Sequence, residues 1–278
     1  SSDPGKVVIP RMLLPQGADQ YDPAISPDGK WAAFAANSHD VKGDIYLMPL
    51  NGPPSSVQRL TGRATADRAP CFSADGERLY FHRYRPGDKD RFISFVELEK
   101  SSLLIKSLDL GRDAAFPAPS PDGKKLAFVS ARGRTTADIY VSSLQDDQIS
   151  QLTSGREKDS FPRWSPDGQY VYFSRSFDTA EKDSETVPKS AIYRINSSAG
   201  SMPATPLTSQ KVQSSRPIPT NIGLFYLSSP TRVQNVWSLP LQGRIGSQAD
   251  AQKQWELARE IAQKLPRDDY LAALACLK

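Results

Sequence analysis

Short apolar runs separated by polar turns recur along most of the chain. Four of these runs end in a phenylalanine, at Phe34, Phe81, Phe128 and Phe173. A second run with an Ile-Tyr pair, such as residues 45–46, follows most of them, and a Leu-Thr element, such as residues 60–61, closes the unit. Short runs rich in β-branched and aromatic residues are typical of strands. The pattern therefore predicts an all-β fold of short antiparallel strands.

A Ser-x-Asp-Gly turn stands before each phenylalanine run. The turns begin at Ser26, Ser73, Ser120 and Ser165, so their spacings are 47, 47 and 45 residues. Asp-Gly between apolar runs is a strong hairpin signal, because glycine accepts positive φ and the aspartate bonds the turn backbone. We therefore expect a structural role for Asp28, Gly29, Asp75, Gly76, Asp122, Gly123, Asp167 and Gly168.

A repeat of this length with four strands per unit is typical of a β-propeller blade. A fifth, eroded copy has residues 220–223 in place of the turn. The Leu-Thr elements at residues 60, 152 and 207 each lie 13 residues before a turn or its eroded copy, and the same distance before Ser26 leads to residues 11–14. The sequence thus predicts a five-bladed propeller of four-stranded antiparallel blades over residues 11–246, closed by an N-terminal outer strand, after an extension of residues 1–10.

The apolar pattern changes to a helical period in the last segment, residues 247–278. Apolar residues there recur three and four positions apart, and Pro266 separates two such stretches. We predict a C-terminal α-helical hairpin that packs either on the propeller or on a partner protein. Its candidate contact residues are Trp255, Ile261, Leu265 and Leu274.

Composition and charge narrow the class of protein. The chain has 278 residues, 38% of them hydrophobic, and a formal net charge of +4. This describes a folded protein with no apolar stretch of the roughly 20 residues that cross a bilayer, so we expect no direct membrane insertion. The small positive excess, without a recognition motif, does not favour nucleic acid.

The basic residues concentrate on the loops of one predicted face. We expect that face to bind protein through Arg83, Tyr84, Arg85, Lys89, Arg91, Arg132 and Arg134. Arginine and tyrosine are enriched at the energetic centres of protein interfaces. A solvated loop face is the alternative.

The sequence predicts neither an enzyme nor a cofactor. The two histidines, His39 and His82, belong to no paired metal motif, and no Gly-x-Ser-x-Gly elbow or phosphate-binding loop is present. Aspartates do precede the innermost strands, and an oxygen-lined cation site there is the alternative to solvated loops. These residues are Asp19, Asp22, Asp67, Asp113 and Asp159. No metal site is predicted from them.

The segment Phe161-Pro162-Arg163-Trp164-Ser165-Pro166-Asp167-Gly168, with Ile192-Tyr193, resembles the blade consensus of the TolB-like β-propeller family. The likeness covers about residues 11–242. It implies a protein exported to the periplasm or cell surface, after removal of a signal peptide, that acts as a non-catalytic scaffold for protein partners. Two alternatives remain open: an accessory subunit of a larger envelope or extracellular assembly tethered by the C-terminal helices, and a carbohydrate-active propeller enzyme.

Overall fold

The structure, a computed structural model, consists of antiparallel sheets joined by tight turns. It describes residues 19–37, 43–62, 65–85, 87, 90–99, 104–132, 134–177, 189–198, 203–210, 213–229 and 235–240. Among these residues the only helical element is a single 3-10 turn, Pro54–Ser56. None of them belongs to a helix long and apolar enough to cross a membrane.

The first three sheets have four strands each, paired in sequence order. Sheet 1 contains β1 (Gln20–Ile25), β2 (Trp31–Ala36), β3 (Asp44–Pro49) and β4 (Gln58–Arg59). Sheet 2 contains β5 (Ala66–Phe72), β6 (Arg78–Tyr84), β7 (Phe92–Glu97) and β8 (Lys106–Ser107). Sheet 3 contains β9 (Ala114–Pro119), β10 (Lys125–Ser130), β11 (Asp138–Ser143) and β12 (Ile149–Gln151).

The remaining strands form a fourth unit of four strands and a further unit of three. Sheet 4 contains β13 (Lys158–Trp164), β14 (Tyr170–Phe177), β15 (Lys189–Asn196) and β16 (Thr205–Pro206). Sheet 5 contains β17 (Gln213–Pro219), β18 (Leu224–Ser229) and β19 (Asn235–Leu239). A single parallel pair, Ser190 with Gln213, connects the two units. The predicted outer strand at residues 11–14 and the predicted helices at 247–278 lie outside the described residues.

The Ser-x-Asp-Gly turns share one hydrogen-bonding scheme. In the first turn the Ser26 hydroxyl donates to Asp28 Oδ1 over 2.6 Å, and the same oxygen accepts the backbone N–H of Lys30. The Ser26 oxygen in turn accepts the N–H of Trp31, where β2 begins. The turns at residues 73–78, 120–125 and 165–170 repeat these bonds.

The glycines of the second, third and fourth turns lie next to the preceding turn. Gly76 adopts φ +79, and a Cβ there would lie 3.6 Å from Cδ of Pro27 in the preceding turn. Gly123 and Gly168 also have positive φ and face the preceding turn in the same way. The turns therefore follow one another around one face of the molecule, which we call the turn face.

The threonine of the Leu-Thr element accepts a hydrogen bond from the third strand through its side chain. Thr61 Oγ1 accepts the N–H of Ile45 over 2.9 Å, and Thr153 and Thr208 accept those of Ile139 and Ile192. The fourth strands end just before the leucine, so these motifs follow the outer strands and do not form them.

The hydrophobic core lies between neighbouring sheets. Along β6, Phe81 packs with residues of sheet 1, whereas the adjacent Tyr80 packs with residues of sheet 3. The four predicted phenylalanines are all fully buried. Because alternate side chains of a strand point to opposite faces, each middle sheet is apolar on both sides and needs a neighbour on each.

The innermost strands come together around a central channel. β1, β5, β9, β13 and β17 contact one another in that order. Arg216 of β17 then donates to Asp22 of β1 over 2.7 Å, which joins the last described sheet to the first. We call the face opposite the turns the loop face. The second strands end and the third strands begin at this face, as Ser130 and Asp138 do in sheet 3.

The turn aspartates make the stability of the fold depend on pH. The hydrogen bond from Ser26 lowers the pKa of Asp28 to about 2, and the equivalent serines lower the pKa of Asp75, Asp122 and Asp167. A carboxylate whose pKa is lower in the folded than in the unfolded state stabilises the fold at pH values above its unfolded-state pKa. This stabilisation is lost as the pH falls through the folded-state pKa.

We predict that replacing these four aspartates by asparagine lowers the melting temperature at pH 7, because the bonds lose their charge, although the amide oxygen can still accept them. The difference from wild type should shrink as the pH falls from about 4 towards 2. Thermal unfolding followed by circular dichroism between pH 2 and 7 measures this. A difference that does not change with pH would contradict the role of the charge.

A second prediction concerns a buried ion pair. Arg175 binds Asp159 through two bonds of 2.8 Å, and the aspartate side chain is 1% exposed. Arg175→Met leaves this carboxylate buried without its cation and should destabilise the protein by about 3–5 kcal/mol. The control is Arg112→Met, because the Arg112 side chain is 83% exposed and 3.6 Å from Asp90. The control should cost less than about 1 kcal/mol. Urea unfolding measures both, and equal losses would contradict the prediction.

Candidate functional site at the mouth of the channel

Every innermost strand has one residue with an unusual backbone conformation at the same position. These residues have φ between 50 and 54 and are Asp22, Ala69, Phe116, Phe161 and Arg216. Each precedes a proline and coincides with a break in strand register. Positive φ costs a non-glycine residue about 1–2 kcal/mol, and a bulge changes the direction of a side chain. The fold therefore presents one side chain from each innermost strand, of four residue types in all, at one level of the channel.

The channel runs from the turn face to the loop face. One cavity, of about 470 Å³, is lined by all five innermost strands. A second cavity of about 480 Å³, which we call the mouth cavity, opens towards the loop face. Its lining consists of Asp22, Arg68, His82, Tyr84, Arg91, Phe116, Phe161 and Arg216.

One wall of the mouth cavity is aromatic. The ring centroids of Phe116 and Phe161 are 4.5 Å apart, and His82 meets Phe116 edge-on at 5.1 Å. The Arg216 guanidinium lies over the Phe161 ring, 4.4 Å from its centroid. Such contacts fix the rings and the guanidinium relative to one another.

The arginines of the mouth cavity are held by defined contacts. Arg216 donates to Asp22, and Arg91 donates to Asp113 over 2.7 Å. Arg68 lies over the ring of Tyr21, 4.4 Å from its centroid. The lining thus contains three guanidinium groups and one carboxylate.

His82 contributes a neutral donor to this lining. Burial, followed by the nearby Arg91 charge, lowers the pKa of His82 to about 3. Its Nδ1 accepts the backbone N–H of Phe116 at 3.4 Å. Since the ring is neutral at physiological pH, this bond assigns its proton to Nε2.

The predicted basic residues have different surroundings. Tyr84 and Arg91 line the mouth cavity, and Arg85 is exposed beside them. Arg83 instead makes two 2.7 Å bonds to the buried Asp67. Lys89 of the same loop lies outside the described residues.

The two predicted arginines of the next blade contact their own sheet. Arg132 lies over the Tyr140 ring and donates to the carbonyl of Leu110. Arg134 lies 3.4 Å from Asp138. The predicted helix residues Trp255, Ile261, Leu265 and Leu274 lie outside the described residues.

The loop aspartates considered as cation ligands face arginines. Asp67, Asp113 and Asp159 bind Arg83, Arg91 and Arg175 over 2.7–2.8 Å. Guanidinium groups therefore occupy the positions from which these oxygens would bind a cation. Within the described ranges no three His, Cys, Asp or Glu residues cluster in a way that could hold a metal ion.

Sequence reasoning missed the residues that give the mouth cavity its character. It did not single out Arg68, Phe116, Phe161 or Arg216, and it considered His82 only as a metal ligand. A signal was present, because three of these four residues precede the proline that recurs in every repeat. The consequence of that position is a backbone bulge, which periodicity alone does not reveal.

Comparisons with known proteins agree with this architecture. The family model for the dipeptidyl peptidase IV N-terminal region matches residues 120–186. An uncharacterized protein of Agrobacterium fabrum, Atu1656, is 30% identical over 176 residues, which cover 59% of this chain and 58% of that protein. Dipeptidyl-peptidase 5 of Aspergillus fumigatus is 30% identical over 153 residues, 47% of this chain and 20% of the enzyme.

The Tol-Pal system protein TolB of Francisella tularensis is 29% identical over 153 residues, 54% of this chain and 34% of TolB. The matches thus span well under two thirds of each of these relatives. Among solved structures, TolB from Acinetobacter baumannii superposes with a TM-score of 0.61 at 22% identity, covering 84% of this chain and 54% of that one. A TolB-assigned structure from Agrobacterium tumefaciens gives 0.63 at 22% identity, covering 83% and 80%. The chain is therefore a β-propeller with the TolB-like fold.

Proposed function

We propose that this chain is an exported, non-catalytic β-propeller that binds a protein partner through its loop face. The observation that carries the proposal is a patch at the end of the β6–β7 hairpin, in which Arg85 and Phe92 are exposed and Tyr84 and Arg91 are half-buried. Phe92 is 43% exposed, and Arg85 is exposed beside it. Aromatic and arginine side chains on a rigid hairpin are typical of interface centres.

Rigidity supports this role. Arg83 pairs with Phe92 across the hairpin and binds the buried Asp67, while Arg91 is bound to Asp113 of the next sheet. The patch is thus fixed at both ends of its loop. A preformed surface loses little conformational entropy on binding.

The comparisons support the class of partner and the compartment. TolB of Francisella tularensis is named as a Tol-Pal system protein. By analogy, we place this chain in the periplasm or at the cell surface, with protein partners.

The chemistry of the channel supports a non-catalytic role, although dipeptidyl-peptidase 5 is also a relative. Burial raises the pKa of the Cys71 thiol in the channel wall to about 12, and its Sγ contacts the Pro117 carbonyl. A protonated thiol is a poor nucleophile. His82 is a weak base, since its pKa is about 3.

We further propose a ring of five blades. The bond from Arg216 to Asp22 supports it, because it brings the fifth unit to the first. The fifth unit has three described strands and ends with β19, so residues 11–14 are proposed as its fourth strand. The C-terminal helical hairpin, residues 247–278, is proposed as an additional contact element.

The patch is tested by charge reversal. Affinity capture from an extract of the source organism should recover a stoichiometric partner with the wild-type chain. Arg85→Glu should reduce the recovery at least fivefold. Lys30→Glu is the matched control, since Lys30 is an exposed cation on the opposite, turn face, and its recovery should be unchanged.

A truncation after Gly246 separates the alternatives. If the truncated chain loses the partner and Arg85→Glu does not, the partner binds the C-terminal segment and not the patch. That result would favour the accessory subunit tethered by its C-terminal helices. Equal recovery by all variants would contradict the loop-face proposal.

Ring closure is tested by two N-terminal deletions. Removal of residues 1–14 should lower the melting temperature and cause self-association through the open edge of β19. Removal of residues 1–10 should change neither property. Thermal unfolding and analytical ultracentrifugation measure the effects, and identical behaviour of the two deletions would contradict an outer strand at 11–14.

A further inference from the structure

The mouth cavity combines positive charge with an aromatic wall. Its lining contains Arg68, Arg91, Arg216 and Asp22. Asp22 binds Arg216, and Asp113, which is not part of the lining, binds Arg91, so two of the three guanidinium groups are paired with carboxylates. Arg91 and Arg216 use one nitrogen each for these pairs, Nε and Nη1, so their other N–H groups can donate to a ligand. The cavity therefore favours a ligand that accepts several hydrogen bonds, and hydrogen bonds from guanidinium groups are strongest to an anionic acceptor.

The hydrogen-bonding groups of the lining suit a carboxylate. Guanidinium groups offer parallel N–H donors that match its two oxygens. His82 adds a neutral N–H, because its Nδ1 already accepts the Phe116 backbone N–H. A dianion such as phosphate fits less well, since the Asp22 carboxylate lies in the same wall and would repel it.

The aromatic wall specifies the rest of the ligand. Phe116 and Phe161 stand at the bulge positions, where their backbones hold φ of 53 and turn the rings to the lining. A ring of the ligand can stack against these side chains and remove their surface from water. The cavity volume of about 480 Å³ lies within the usual range of ligand pockets.

We propose that the mouth cavity is a binding site for a carboxylate that bears an aromatic group. Two sources share this chemistry: a free aromatic acid and the C-terminal residue of a peptide. The site differs from the patch of the proposed function, which lies outside the cavity except for Tyr84 and Arg91. The proposal does not depend on capture of a protein partner.

The test is calorimetric titration of the full chain with N-acetylphenylalanine and with its primary amide. We expect a dissociation constant of about 1 mM or tighter for the acid. The amide has the same ring and no charge, so it should bind at least tenfold more weakly. Acid binding too weak to detect at about 10 mM ligand, or equal binding of acid and amide, would overturn the proposal.

Variants locate the binding on the protein. Arg68→Gln and Arg91→Gln should each weaken binding of the acid at least tenfold, whereas Arg112→Gln removes the same charge outside the cavity and should change it less than twofold. Melting temperatures verify that each variant is folded. If Arg91→Gln does not fold because Asp113 loses its partner, Arg68→Gln decides alone. Equal binding by Arg68→Gln and Arg112→Gln would overturn the site.

A further titration distinguishes the two sources. An acetylated tetrapeptide that ends in phenylalanine with a free carboxylate is compared with N-acetylphenylalanine. Binding at least tenfold tighter by the peptide identifies a chain terminus as the ligand, and equal binding identifies a free acid. Both results support the carboxylate site. They are independent of the Arg85→Glu result, so either proposal can fail without the other.

Discussion

Every middle sheet of this protein is apolar on both faces, and the structure depends on that constraint. Alternate residues such as Tyr80 and Phe81 of β6 lie in two different core clusters. A sheet of this kind cannot bury both faces alone, so it must stand between two neighbours. Sheets that stand side by side in this way bring the innermost strands β1, β5, β9, β13 and β17 together, and a channel remains where they meet.

The repeated sheets of the chain share one backbone geometry but carry different side chains at the channel. The turn face repeats one serine-aspartate scheme four times, which fixes how each sheet starts. At the other end, the positive-φ position repeats five times with a different residue type in most sheets. The backbone is thus the same and the side chains differ. Packing determines the position of each side chain at the mouth of the channel, and the residue type at that position determines its charge and hydrogen-bonding groups.

Much of the fold was accessible from the sequence because it depends on local repeats. Asp-Gly turns, buried phenylalanines and the strand order follow from spacing alone. The site was less accessible. Arg83 and Arg175 each lie 16 residues after the aspartate they bind, a distance that crosses a hairpin, so their pairing appears only when the strands are in register. Arg216 and Asp22 are 194 residues apart, and only the approach of the last described sheet to the first brings them together.

These ion pairs reduce the positive charge that the loop face presents to solvent. Counted along the sequence, the basic residues of that face suggest a broad cationic surface. In the structure, buried or half-buried carboxylates face Arg83, Arg91 and Arg175 from the adjacent strand or sheet. Such pairs position side chains and contribute little to a long-range field, because the opposite charge lies within 3 Å. The recognition that we propose for this face therefore depends on local geometry, in which exposed groups and the cavity lining each present donors in fixed places.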